Sequence, residues 1–127
     1  MPAPIATDVD FLYVFAKDYD AVAAFYENVL GMRCLVRYGR ARGAEFACGN
    51  STFVVFDGPS IGIDFVPNKH PIALRVEDFD AAKARLESSG VEFNNVIDSG
   101  VCHMAFFNDP DGNALLIHHR YESEDED

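Results

Sequence analysis

The sequence predicts an α+β fold built from two βαβββ modules in tandem. Three observations carry that expectation. A short motif, Lys17-Asp-Tyr-Asp-Ala21, recurs sixty residues on as Glu77-Asp-Phe-Asp-Ala81, and self-similarity at a fixed period marks repeated structural units. Around each copy the apolar spacing switches from strand-like to helix-like. Apolar runs too short for helices then follow, separated by Gly-containing breaks.

The first run, VDFLYVFA from Val9 to Ala16, is rich in aromatic and β-branched residues and reads as a strand. Val22, Phe25, Tyr26, Val29 and Leu30 then fall at i, i+3, i+4, i+7 and i+8. That places one apolar stripe on a helix, which Asp18 or Asp20 caps and Gly31 ends. Arg33–Tyr38, Ala44–Cys48 and Thr52–Phe56 read as three antiparallel strands, the last two joined at Gly49-Asn50. The Pro- and Gly-broken stretch from Asp57 to Lys69 reads as a connector with a short extended segment at Ile63-Asp-Phe-Val66.

After the connector the pattern restarts. Ile72–Val76 reads as a strand, and Asp78 caps a helix running to about Ser89, closed by Gly90. Strands are expected at Val91–Ile97, Cys102–Phe107 and Ala114–His119, with the turn Asn108-Asp-Pro-Asp-Gly112 between the last two. The modules thus span residues 9–57 and 70–120 of a single domain, 9–120, with a connector at 58–69. A flexible arm, 1–8, precedes the domain and an acidic disordered tail, 121–127, follows it. Each sheet has one face covered by its helix. The expected arrangement curls the two sheets together so that their other faces line a shared cavity.

Composition narrows the function classes. At 127 residues with 49% hydrophobic and 24% charged residues, the chain can bury one core and is not a disordered polymer. The formal charge of −11 falls to −6 once the five acids of the last six residues, Glu122, Glu124, Asp125, Glu126 and Asp127, are set aside. No basic run offers a footprint for phosphate backbones, so nucleic acid is excluded as an expected partner. No apolar stretch reaches the roughly 20 residues of a membrane-spanning helix. Cys34, Cys48 and Cys102 are odd in number and lack metal-type spacing, and the start MPAPIATD has no export pattern. Free thiols in a reducing cytoplasm are expected.

Two motifs resemble the vicinal oxygen chelate superfamily, which includes glyoxalase I, extradiol dioxygenases and bleomycin-resistance proteins. They are Asp18 followed by Phe25-Tyr26-Glu-Asn-Val-Leu30-Gly31-Met32, and Asp109-Pro110-Asp111-Gly112-Asn113 before the last strand. The resemblance covers about Val9 to His119. It implies a small-molecule ligand and a homodimer, and it locates four metal-ligand positions of metal-using members. One lies on the first strand seven residues before the helix-opening Asp, at Phe11, and its second-half equivalent is Pro71. Another lies four residues after the Gly of the DPDG turn, at Leu116, and its first-half counterpart falls within Phe53 to Phe56. None of these side chains offers a lone pair to a divalent ion, so no metal or other cofactor is expected. His70, next to Pro71, is the one candidate ligand, through a strand bulge.

If Phe11 faces the cavity, as the resemblance implies, alternation puts Tyr13 and Phe15 beside it and leaves Leu12 and Val14 under the helix. The same rule directs Pro71, Ala73 and Arg75 inward, and Leu116 and His118 on the last strand. Phe53 is counted with this lining. The expected site is therefore Phe11, Tyr13, Phe15, Phe53, Arg75, Leu116 and His118. An inward Arg75 needs an acid of the protein, Glu45 or another inward one, or a ligand anion, and an inner His118 is a candidate acid or base near neutral pH. Two functions follow. One is metal-free binding and sequestration of an aromatic or cationic compound. The other is a lyase, isomerase or dioxygenase using a shifted metal site or acid–base work by Tyr13, Arg75 and His118.

Overall fold

Strand β1 (Phe11–Ala16) opens the computed structural model, which describes residues 3–122. It is followed by helix α1 (Tyr19–Ala24), which runs on as a π-helical turn over Phe25–Val29. β2 (Cys34–Arg37), β3 (Gly43–Cys48) and β4 (Ser51–Asp57) complete one sheet, ordered β1-β4-β3-β2. β1 lies parallel to β4, and the remaining pairs are antiparallel. The chain divides into two compact units at Val66/Pro67. The second repeats the first: β5 (Ile72–Arg75), helix α2 (Phe79–Ser88), β6 (Asn95–Asp98), β7 (Cys102–Asn108) and β8 (Ala114–Arg120), ordered β5-β8-β7-β6. Here too the first strand is parallel to the last. The α+β class and the βαβββ repeat expected from the sequence are therefore present.

The repeated Asp residues explain why each helix starts where it does. Asp18 Oδ1 accepts the Ala21 N–H at 3.3 Å, and Asp78 Oδ1 accepts the Ala81 N–H at 3.0 Å, satisfying a donor that the first turn leaves open. Gly31 and Gly90, at φ 73° and 91°, then take the left-handed conformation that stops each helix. In the first unit Val22 and Tyr26 of the helix and Phe46, Phe53 and Val55 of the sheet are all fully buried, with the Tyr26 and Phe53 rings 5.7 Å apart. Phe107, Leu115, Ile117, Phe79 and Leu86 form the corresponding core of the second unit.

Four local expectations change. Ile63–Val66 joins no sheet, and Pro59–Ile61 before it makes a short 3-10 turn, in which Asp57 accepts the Ser60 backbone N–H and hydroxyl. β6 begins at Asn95 and not at Val91, since the Val91 N–H is spent on Leu86 O at the end of α2. The connector's last residues join the second unit: Asn68 N–H donates to Asn113 Oδ1 at 2.9 Å, and Asn68 O accepts from Ala114. Tyr121, assigned above to the tail, is tied down. Its hydroxyl donates to Asp98 Oδ1 at 2.6 Å and its ring lies 4.7 Å from that of His103. The acidic tail expected over residues 123–127 lies outside the described residues. Among the described residues no helix is long and apolar enough to cross a membrane.

Candidate functional site

Alternation along β1 sends Val14 and Ala16 into the core and leaves Phe11, Tyr13 and Phe15 on the opposite face. Phe11 is 47% and Tyr13 55% exposed. The rings form a ladder. Phe11 meets Tyr13 edge-on at 5.0 Å, and Tyr13 stacks on Phe15 at 5.2 Å with planes 14° apart. The register extends this face across the sheet, since Phe15 pairs with Phe56 and Tyr13 with Val54, whose other neighbour is Glu45. Tyr38 closes the far side, its ring 5.8 Å from that of Phe56. Both rings lie over Gly43, where an added Cβ would come within 2.5 Å of Tyr38 and 2.7 Å of Phe56. A side chain at position 43 would therefore push them apart.

The Tyr38 hydroxyl donates to Glu45 Oε2 at 2.6 Å. Burial, and then this bond to a carboxylate, push Tyr38 up to about 12. Sequence reasoning missed Tyr38 and Phe56, and considered Glu45 only as a partner for Arg75, because only the strand register reveals that they share a face with Tyr13. Phe53 requires a correction. It pairs with Leu12 and Phe46, is 1% exposed and packs on Tyr26, so it belongs to the core beneath α1 and not to the aromatic face.

In the second unit Ala73 and Arg75 are exposed while Leu74 is buried, as alternation expects. The parallel register sets Arg75 beside His118 and Ala73 beside Leu116. Arg75 and His118 thus line one hollow of about 290 Å³ with Val76, Glu77, His119 and Arg120. Among the described residues Arg75 forms no ion pair. His119 sets its Nδ1 3.1 Å from Val76 O. Leu116 is 6% exposed, more enclosed than a lining residue needs to be. Pro71 borders a separate hollow of about 250 Å³ with Lys69, Asn95 and Phe106. The structure therefore groups Arg75 with His118, and Phe11 with Tyr13 and Phe15, each set within its own unit.

The family's metal positions do not fit a divalent cation. Phe11, Pro71 and Leu116 present only carbon, and Val54, which sits beside Tyr13 as Leu116 sits beside Ala73, does the same. His70 is exposed before β5 begins, in a bend where its backbone N–H donates to Asn68 Oδ1. Among the described residues no three His, Cys, Asp or Glu side chains gather as a metal site. The cysteines are unpaired, and burial raises the Cys48 thiol.

Two βαβββ units with helix-capping Asp residues and a DPDG turn define a class that sequence comparison names. The profile of the Glyoxalase/Bleomycin resistance protein/Dioxygenase superfamily matches residues 8–117, and the chain belongs to that superfamily. Solved structures share the fold. A protein assigned to the glyoxalase family from Bacillus anthracis is 21% identical over 94% of this chain and 99% of its own, with a TM-score of 0.81. TnmS3, an antibiotic-binding protein from Streptomyces sp. CB03234, is 24% identical over 93% and 99%, with a TM-score of 0.76. Lactoylglutathione lyase from Agrobacterium tumefaciens is 20% identical over 91% and 94%, with a TM-score of 0.75. No curated protein sequence matches the chain significantly.

Proposed function

We propose that this protein binds and sequesters a small organic compound, aromatic or cationic, without using a metal. The observation that supports it best is the exposed Phe11–Tyr13–Phe15 ladder, which occupies the strand where metal-using relatives place a ligand. Stacked or edge-on rings contribute about 0.5–1.5 kcal/mol per pair beyond burial, so three neighbouring rings suit an aromatic ligand. The apolar donor set at Phe11, Val54, Pro71 and Leu116 supports holding the compound by contact alone. The antibiotic-binding function of TnmS3, a protein of the same fold, agrees with this reading.

A thermal-shift screen of bleomycin and other flat or cationic compounds tests it. Binding at a hundred times Kd stabilises the fold by about 2.7 kcal/mol, a readily measured rise in Tm. The rise is expected to shrink in Tyr13→Ala. No shift with any compound, or near-stoichiometric zinc, nickel, manganese or iron in the purified protein, overturns the proposal.

One observation favours a second reading. Arg75 and His118 share a hollow, which supports acid–base chemistry of a lyase or isomerase on a bound compound. Conversion of a bound compound that stops in His118→Asn while its binding persists would establish this reading over sequestration. The family likeness also supports a homodimer, to be checked by sedimentation, and the free thiols support work in the cytoplasm.

A further inference from the structure

We propose that Glu45, held by Tyr38, is the counter-ion for an organic ammonium group, so that the compound taken by the first unit's open face is an aromatic cation. This rests on the reading that the face binds a small molecule, and it names that molecule's class. Tyr13, Val54 and Glu45 form one row across the sheet, with Phe15 and Phe56 in the next row. Among the described strand residues on this face, paired as Phe11–Thr52–Ala47, Tyr13–Val54–Glu45–Val36 and Phe15–Phe56–Gly43, Glu45 alone is charged.

Its carboxylate is half-buried, yet it forms no ion pair among the described residues. Tyr38 satisfies Oε2, and among the described residues Oε1 accepts no hydrogen bond from the protein. Of the arginines shortly before it in sequence, none forms an ion pair with it among the described residues, and two are committed elsewhere. Arg37 pairs with Glu27 at 2.6 Å, while Arg42 pairs with Asp20 at 2.9 Å and lies over the Tyr19 ring. A partly desolvated carboxylate without a cation is costly, and a ligand cation removes that cost. The surrounding ring faces carry negative quadrupoles that attract the same charge. The net acidity of the chain draws cations from a distance. An anionic ligand would meet repulsion from Glu45 and from the ring faces alike.

The test uses benzyltrimethylammonium and its neutral carbon isostere, neopentylbenzene, titrated into the full chain and followed by NMR on Tyr13, Phe15 and Glu45. The cation is expected to bind about tenfold tighter than the isostere, with an advantage that shrinks as salt rises. In Glu45→Gln the cation should lose most of its advantage, keeping only the part the ring faces supply, and in Tyr38→Phe the preference should weaken. Equal binding of the two probes to the natural chain, or a preference undiminished in Glu45→Gln, overturns the assignment of Glu45 and leaves aromatic binding standing. If neither probe perturbs Tyr13 or Phe15, the binding reading of this face falls and the assignment with it.

Discussion

Position for position, the two halves agree on their buried faces and diverge on their open ones. Val14 and Leu74, sixty residues apart, are both buried on the first strand of their sheets, and Asp18 and Asp78 cap the two helices with the same bond. On the other side of those strands, Phe11, Tyr13 and Phe15 correspond to Pro71, Ala73 and Arg75. One face is aromatic with a single carboxylate, and the other carries arginine and histidine. The fold depends on caps and helix-facing apolar positions, so the open face can change its chemistry without changing the architecture.

Substitutions on the two sides of the first sheet sharpen this contrast most. Phe53→Ala removes a fully buried ring and is expected to cost about 3–5 kcal/mol in chemical denaturation, whereas exposed Tyr13→Ala should cost below about 1. Comparable losses would mean that the open face also holds the fold together.

The turns before the last strands come next. Buried Asp109 accepts from the backbone of Asp111 and Asn113 and from the Asn113 amide at 2.8–3.0 Å, so Asp109→Ala is expected to cost about 2–3 kcal/mol. Asn50→Ala, in the exposed first-half turn, should stay within about 0.5. The caps should behave alike, with Asp18→Ala and Asp78→Ala each losing about 1 kcal/mol. Unequal losses would show that the repeat is not energetically equivalent.

The smallest effect is spectroscopic. Each half holds one tyrosine pushed up to about 12, Tyr38 by burial and then Glu45, and Tyr121 by its bond to Asp98. Their phenolates should appear late in an ultraviolet titration, and Tyr38→Phe or Tyr121→Phe should each remove one late step. Because the folded values lie above the ordinary 10.0, both bonds stabilise fully below pH 10 and lose their contribution as pH rises through about 12. The bond from Tyr121 and the Gly100 N–H hold Asp98 below the ordinary 3.8, so its contribution is complete above that pH and fades on further acidification.

Much of the fold was legible because its signals are local. Asp18 and Asp78, the glycines after each helix and the repeated motif act through neighbours in sequence. The faces of β1 and β5 were legible because the family resemblance fixed the side of Phe11 and Pro71, and alternation carried that side along each strand. Alternation failed for Phe53 because Phe53, Val54 and Val55 are all buried, and a strand apolar on both sides gives no period to read. The Tyr38–Glu45 bond and the meeting of Arg75 with His118 depend on which residues stand opposite each other between strands. Loop length and distant pairing decide that, and no single window of sequence records it.

The parallel pairing of β1 with β4, and of β5 with β8, also sets an order of assembly. β3 and β4 meet across a tight turn, while β1 must wait for a partner some forty residues later in the chain. On a ribosome the leading strand of each half would emerge long before its mate and stay unlocked until that mate arrived. Pulse-labelled amide exchange during refolding should accordingly find β1 among the last segments to gain protection.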